Sequence, residues 1–409
     1  MTKVKQSNYN LKEEKKLSIA LMSPFVILIL QSFVLYYFNI TDTGMGVLVN
    51  IISKLIVCLF FLISFSIVVK KNITLLLFIY VLSVFIFALN YLFFHQNTEY
   101  LNEVFFQYFF ICLLCFIYSY SLSDMKIFNE VVEKTSYLLY LIGLCMGILI
   151  FSGKMSVGTY NISIGYYLLL PTIIYIKKFL ESLKVKYLLL SLFPIIIILA
   201  IGSRGPLMCI GLYIFLYHLI NLKKVTFKKL MFYMSCTIII VPCLIYFDDI
   251  LISISSVLNE FGINSRSLML ITSGEVANTT GRDSISTEVL NQVKDHPFTG
   301  IGVTGDRFYT GTYSHNILLE IISSFGIIIG SLLIIFLTFI VICVLASKNK
   351  VRSNQFLIWF TVGIIPLFVS SSYLIYYQFW IFLGLSIKFL KETNRKKKEK
   401  SKYKQFYPR

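Results

Sequence analysis

Apolar side chains run along this chain in long unbroken blocks, separated by short polar stretches in which lysine is the commonest charge. A membrane-spanning helix needs about 20 mostly apolar residues. The blocks Leu17–Phe38, Met45–Val69, Ile73–Phe94, Val104–Leu122, Tyr137–Phe151, Ile162–Ile176, Leu230–Phe247 and Ile317–Leu345 each predict one such helix. Two further blocks are too long for one crossing. Tyr187–Ile220 holds 34 residues, and a single helix of that length would extend about 51 Å against a hydrocarbon core of ~30 Å. Lys177, Lys178, Lys184 and Lys186 precede it and Lys223, Lys224, Lys228 and Lys229 follow it. Both flanks belong in the cytoplasm, so the block must be a hairpin that turns on the outer face at Gly202–Pro206. The same reasoning makes Phe356–Ile387 a hairpin turning at Ser370–Ser372.

The pattern therefore predicts an all-α polytopic integral membrane protein with about 12 transmembrane helices. Both termini are expected in the cytoplasm, and one large extracytoplasmic loop on the other side. Cytoplasmic tails occupy residues 1–16 and 388–409, the first nine helices 17–247, the loop 248–313, and the last three helices 314–387. Composition agrees: 57% of the 409 residues are hydrophobic and only 14% charged, whereas soluble domains run near one half and one quarter. The net charge of +17 invites a nucleic-acid reading, but 30 of the 37 lysines and arginines fall in segments assigned to the cytoplasm. The charge follows the membrane, and no nucleic-acid partner is expected. The first apolar block is not followed by a small-residue cleavage site, so no removable signal peptide is expected. All eight cysteines lie in apolar blocks. The pair Cys112 and Cys115 has metal-site spacing but an apolar setting, and reads as buried thiols. No nucleotide loop is present, which argues against a primary pump.

Chemistry is expected in the loop Asp248–Tyr313. Ile250, Leu251, Ile254, Val257, Leu258 and Phe261 predict an amphipathic helix on the membrane surface. A second is predicted over Asp283–Asp295, with Ile285, Val289, Leu290 and Val293 on one face. A turn through His296-Pro297-Phe298-Thr299-Gly300-Ile301-Gly302 follows, and the next span opens at Ser314-His315-Asn316 with Glu320 shortly after. The order Gly281-Arg282-Asp283, amphipathic helix, Lys294–Gly302, His315-Asn316, Leu319-Glu320 and Phe325-Gly326 resembles the signature region of the O-antigen ligase and polymerase family. The Ser203-Arg204-Gly205 tip resembles that family's upstream motif. One difference stands out: members usually carry a small or polar residue three positions after the glycine matching Gly326, and here Ile329 stands there, with Gly330 next.

The resemblance implies a multi-pass protein of the cytoplasmic (inner) membrane with a GT-C-like glycosyltransferase fold, needing no metal or other cofactor. It would use a polyprenyl-pyrophosphate-linked oligosaccharide at the outer face of the bilayer, with a chain-length regulator and a flippase as possible partners. A departing pyrophosphate needs guanidinium forks, for which Arg204 and Arg282 are the substrate-binding candidates. From the residues alone Arg282 reads as a solvated loop charge, whereas Arg204 sits on a short outer hairpin where cations are disfavoured. An acceptor hydroxyl needs a base, and His315 is the catalytic candidate. With Ser314 as its expected cap, the start of a long helix would keep the ring neutral, although an interfacial histidine can equally serve only to hydrogen-bond the loop. Glu320, a carboxylate within a span, must be paired or functional. It is the second catalytic candidate: it orients His315, pairs with an arginine, or is itself the base. His296 reads as structural, Lys54 as either functional or snorkelling, and Arg307 as a loop charge that tolerates lysine. A ligase moving finished glycan to another acceptor is the alternative within the resemblance. A flippase or secondary transporter is the alternative outside it, though midplane polar groups and repeated halves are lacking.

Overall fold

The computed structural model describes residues 2–155, 162–221, 252–253, 256–257, 281–346 and 350–406. Helices and the turns between them account for these residues, with no strand among them. The helices are α1 (Thr2–Tyr37), α2 (Gly44–Phe93), α3 (Thr98–Gln107), α4 (Leu113–Ser121), α5 (Met125–Phe151), α6 (Ile162–Ser182), α7 (Val185–Ala200), α8 (Arg204–Asn221), α9 (Arg282–Asp295), α10 (Gly305–Thr310), α11 (Ile317–Leu345), α12 (Lys350–Gly363) and α13 (Tyr377–Phe406). Five stretches among the described residues are long and apolar enough to cross a membrane: Leu11–Tyr37, Gly44–Phe93, His95–Ser121, Met125–Phe151 and Ile317–Leu345. Leu62, Ile63 and Phe93 on α2, and Leu332 and Ile335 on α11, are each more than 60% exposed. Apolar faces of that extent are stable in lipid and a liability in water. The chain is an α-helical membrane protein. The predicted span Leu230–Phe247 lies outside the described residues, as do all but four residues of the surface helix read over Ile250–Phe261.

Both long apolar blocks are hairpins. In the first, α7 and α8 are joined at Ile201–Ser203, where Gly202 takes φ 71°. In the second, α12 leads through a 3₁₀ turn at Ile365–Phe368 to Ser370–Ser372 and back along α13. The blocks Met45–Val69 and Ile73–Phe94 form α2 together, broken where Asn72 leaves helical geometry (φ −147°, ψ 39°). That break is pinned by side chains: Asn72 Nδ2 donates to Ser121 Oγ at 2.8 Å and Lys71 Nζ to Glu14 at 2.5 Å. Glu14 also accepts from the amides of Ser123 and Asp124 at 2.8 and 3.1 Å.

The chain divides into two compact units. One comprises residues 25–54 and 133–280. In it α6 packs on α7 and α8, and Gly165 lies so close to Ser203 and Pro206 that a Cβ there would meet them at 2.8 to 3.0 Å. The other comprises residues 1–24, 55–132 and 281–409. In it α9 lies along the first turns of α11, with Val289 and Val293 buried against Leu319, and Ile285 and Ile322 packed beside them. Burying each such side chain is worth roughly 1.5–3 kcal/mol. Leu290, expected on this face, is exposed.

The turn after α9 is locked to α11 by an exchange of backbone hydrogen bonds. At Gly326 (φ 75°, ψ 174°) α11 leaves helical geometry, and the amide of Ile327 no longer reaches Ser323. Instead it donates to Pro297 O at 2.8 Å, while Ser323 O accepts from Ile301 N at 2.7 Å. The two groups orphaned by the break are each satisfied by the 297–301 turn, which answers the demand that buried backbone polar groups be paired. The approach is so close that a Cβ on Gly326 would stand 2.2 Å from Phe298 O, and one on Gly300 2.3 Å from Ser323 O. This explains why the motif has glycine at both places. Gly330, following the exposed Ile329, supplies the small residue on the far side of the break: its Cβ would meet Ile322 Cα at 2.9 Å.

Gly326→Val combines a left-handed backbone with a carbonyl clash, so it should lower stability by at least ~2 kcal/mol, read as a fall in melting temperature of the detergent-solubilised protein. Gly311→Ala, with φ 73° but open space around it, should cost less. The charge distribution makes a separate prediction, testable at two exposed sites in a cysteine-free background. Cysteine at Asp295 should react with a membrane-impermeant thiol reagent in intact, wall-permeabilised cells, and cysteine at Lys184 should not. The reverse result would invert the topology.

Candidate active site

Between the 297–302 turn and α11 the backbone takes left-handed φ at Gly302, Thr304, Gly311 and His315. Such a path needs fixed points, and Asp306 at the start of α10 is one of them. Buried at 1% exposure, its Oδ2 accepts from Ser314 N at 2.8 Å and its Oδ1 from Arg307 N at 3.0 Å. Asn316 is another: its Oδ1 caps α11 by accepting from Leu318 N at 3.0 Å. The cap is therefore Asn316 and not Ser314, whose amide is committed to Asp306. His315 sits between these two anchors at φ 54°.

Glu320, one turn into α11 and 1% exposed, draws together three parts of the chain. It accepts hydrogen bonds from Ser372 Oγ and from Tyr373 N, the latter at 3.2 Å. Arg307 Nη2 lies 3.7 Å from its Oε1 and donates to Ser372 Oγ at 2.8 Å. The turn between α12 and α13 is thus tied to the segment before α11. Of the three roles expected for Glu320, pairing with an arginine is the one present, and the partner is Arg307. Both Glu320 oxygens are engaged and the side chain is buried. Arg307 also corrects its expectation as a tolerant loop charge, being 5% exposed and hydrogen-bonded. Nothing in a loop without periodicity marks it; only the presence of a carboxylate in the neighbouring span signals that some cation must be buried with it.

Tyr313 lies against both Arg307 and His315. The guanidinium carbon lies 5.7 Å from its ring centroid, and the His315 ring centroid 4.3 Å away. Its hydroxyl donates to Ser370 O at 2.9 Å. The His315 ring is half-buried, with Nδ1 shielded from solvent and unpartnered among the described residues. Burial first, and the positive charge of Arg282 second, push its pKa down to about 4. The ring is neutral at physiological pH, as expected, but burial and a neighbouring arginine keep it so, with Asn316 and not the histidine's own neighbour Ser314 opening the helix. Arg282, the first residue of α9 after Gly281 at φ 81°, acts electrostatically on this histidine, so the structure brings Arg282, Arg307, His315 and Glu320 into one neighbourhood. Arg204 is the first residue of α8, half-buried beside the buried Ser203, and belongs to the other unit. His296 ends α9 and its carbonyl accepts from Gly300 N at 2.9 Å, a structural part as expected. Lys54 is half-buried on α2, and Cys112 and Cys115 are buried free thiols.

A loop is pinned to a broken helix by glycines, and arginine, histidine and a buried glutamate gather at the helix start. Residues 189–334 match the O-antigen ligase family model. No curated protein and no solved structure matches the chain. The matched region contains all four candidate residues, Arg204, Arg282, His315 and Glu320, together with Arg307. Its partners at Ser372 and Tyr373 lie beyond the matched region, on the hairpin that closes over Glu320.

The ion pair sets a stability test. Glu320→Leu leaves Arg307 buried without a countercharge and should cost roughly 3–5 kcal/mol, measured as loss of folded protein in the membrane fraction. Glu320→Gln, which keeps hydrogen-bonding capacity, should be milder.

Proposed function

We propose that this chain is a glycosyltransferase acting on lipid-linked glycans, and specifically a polymerase. It would join polyprenyl-pyrophosphate-linked oligosaccharide repeat units into a surface polysaccharide by metal-independent transfer at the outer face of the cytoplasmic membrane. What supports this reading is a half-buried histidine whose pKa burial and Arg282 push down, in a region that matches the O-antigen ligase family model. In the proposed reaction the acceptor hydroxyl attacks the anomeric carbon of the donor, the bond from that carbon to the pyrophosphate oxygen breaks, and His315 takes the hydroxyl proton. Arg282 holds the departing pyrophosphate, and Arg204, on the other unit, is proposed as a further substrate-binding residue. Glu320 acts indirectly, by holding Arg307 and the Ser372 turn. A flippase and a chain-length regulator remain the proposed partners. The family's own description favours one second reading, transfer of a finished glycan to another acceptor.

Cells lacking the gene and complemented with variants distinguish these readings by what accumulates. Loss of a polymerase leaves lipid-linked single repeat units, and loss of a ligase leaves long polymer still on its lipid. Arg204→Lys and Arg282→Lys keep charge but lose the fork, so product should fall sharply at near-normal protein level. His315→Ala should cost roughly 10²- to 10⁴-fold in rate; a native rate in His315→Gln would remove His315 as the base. The depressed histidine pKa adds a pH test. The ring is neutral above about 4, so the transfer rate should hold from neutrality down to about pH 5 and fall only as pH approaches that value. Arg282→Gln removes one of the two causes, and the acid limb of its residual activity should move upward. An acid limb near the ordinary histidine value in the native protein would contradict the assignment.

A further inference from the structure

Arg307 is buried in a way that an ion pair alone does not explain. A guanidinium held only by a carboxylate normally presents two parallel N–H groups to its two oxygens. Here the Glu320 oxygens are taken by Ser372 Oγ and Tyr373 N, and Arg307 meets Oε1 at 3.7 Å through Nη2 alone. Nη2 spends its hydrogen bond on Ser372 Oγ at 2.8 Å. The fork is turned so that Nη1, buried and cationic, has no acceptor among the described residues. Buried donors left in that condition are rare and call for an acceptor, which a bound ligand can supply.

His315 Nδ1 is in the same condition, and both side chains flank one ring, that of Tyr313, at 5.7 and 4.3 Å. A base and a cation that share a neighbour suit a reaction in which a hydroxyl is deprotonated and an oxyanion departs one sugar ring away. Resting on the glycosyltransferase reading above, we propose that Arg307 is a further oxyanion-binding arginine of the donor site. Its Nη1 is kept for a phosphate oxygen of the lipid-linked donor, and Tyr313 covers it until the donor binds. Glu320 and Ser372 offset the charge and aim the fork.

The test uses the full-length protein in detergent, with farnesyl pyrophosphate as the probe and its affinity measured by calorimetric titration. Arg307→Lys should bind it roughly ten- to hundred-fold more weakly, the worth of one charge-assisted hydrogen bond, while the ligand-free melting temperature stays within a few degrees of native. Arg307→Met combined with Glu320→Leu removes charge and countercharge together, a change the fold should tolerate, and it must show the same loss. Tyr313→Ala should bind at least as tightly as native; weaker binding would overturn its covering role. If native protein binds the probe, and Arg282→Lys weakens it but neither Arg307 variant does, Arg307 is only a structural clasp and this inference fails while the function stands. If native protein does not bind the probe at all, the donor reading itself fails. A loss confined to substrates with acidic sugars, with farnesyl pyrophosphate bound normally, would assign the oxyanion to the glycan and overturn the phosphate assignment.

Discussion

Three stretches of chain meet at one carboxylate. Glu320 lies in the first turn of α11, Arg307 in the short helix α10 before it, and Ser372 and Tyr373 in the turn between α12 and α13, more than fifty residues on. Removing a charge from water costs several kcal/mol, so a carboxylate buried in the first turn of an apolar helix must be surrounded by donors. Every donor recruited to it fixes another piece of backbone. The loop's left-handed path, the cap at Asn316 and the placing of His315 all follow once Asp306 and Arg307 are drawn to this point, because the short helix carrying them cannot shift without stranding the charge.

The same logic governs the backbone. The turn after α9 and the break in α11 need each other: neither Ile327 N nor Ser323 O has a helical partner, and the turn provides both. Two glycines permit contact at main-chain distance, and the apolar face of α9 holds the turn in register from above. The candidate side chains are therefore mounted on a frame of paired backbone, although they come from a loop.

Much of the frame was legible in the sequence. Lysines on both flanks made hairpins of the two long blocks, and Ile285, Val289 and Val293, four residues apart, announced the buried face of α9; Leu290, one step round the helix from Val289, turns out instead. The resemblance pointed to Arg282, His315 and Glu320, which the structure gathers at the start of α11. What stayed hidden were relations across distance. Arg307 has no periodic setting, and its partner Ser372 is 65 positions away. Ser314 and Asn316 are equally good caps by type; the choice falls to Asn316 because Asp306 has already claimed the Ser314 amide, a contact that no local pattern encodes.

The break at Gly326 also divides α11 into unequal parts with different surroundings. The 19 residues from Ile327 to Leu345 rise about 28 Å, enough by themselves to match the hydrocarbon thickness, and they carry most of the exposed leucine, isoleucine and phenylalanine side chains of α11. The nearly three turns from Ile317 to Gly326 are surplus to crossing and are largely wrapped by protein. If the longer part fills the bilayer, His315 and Arg307 sit close to the depth of the headgroups. A donor tethered by a long isoprenoid chain would then reach them while its tail stays dissolved in the membrane, and no energy need be spent lifting that tail into water.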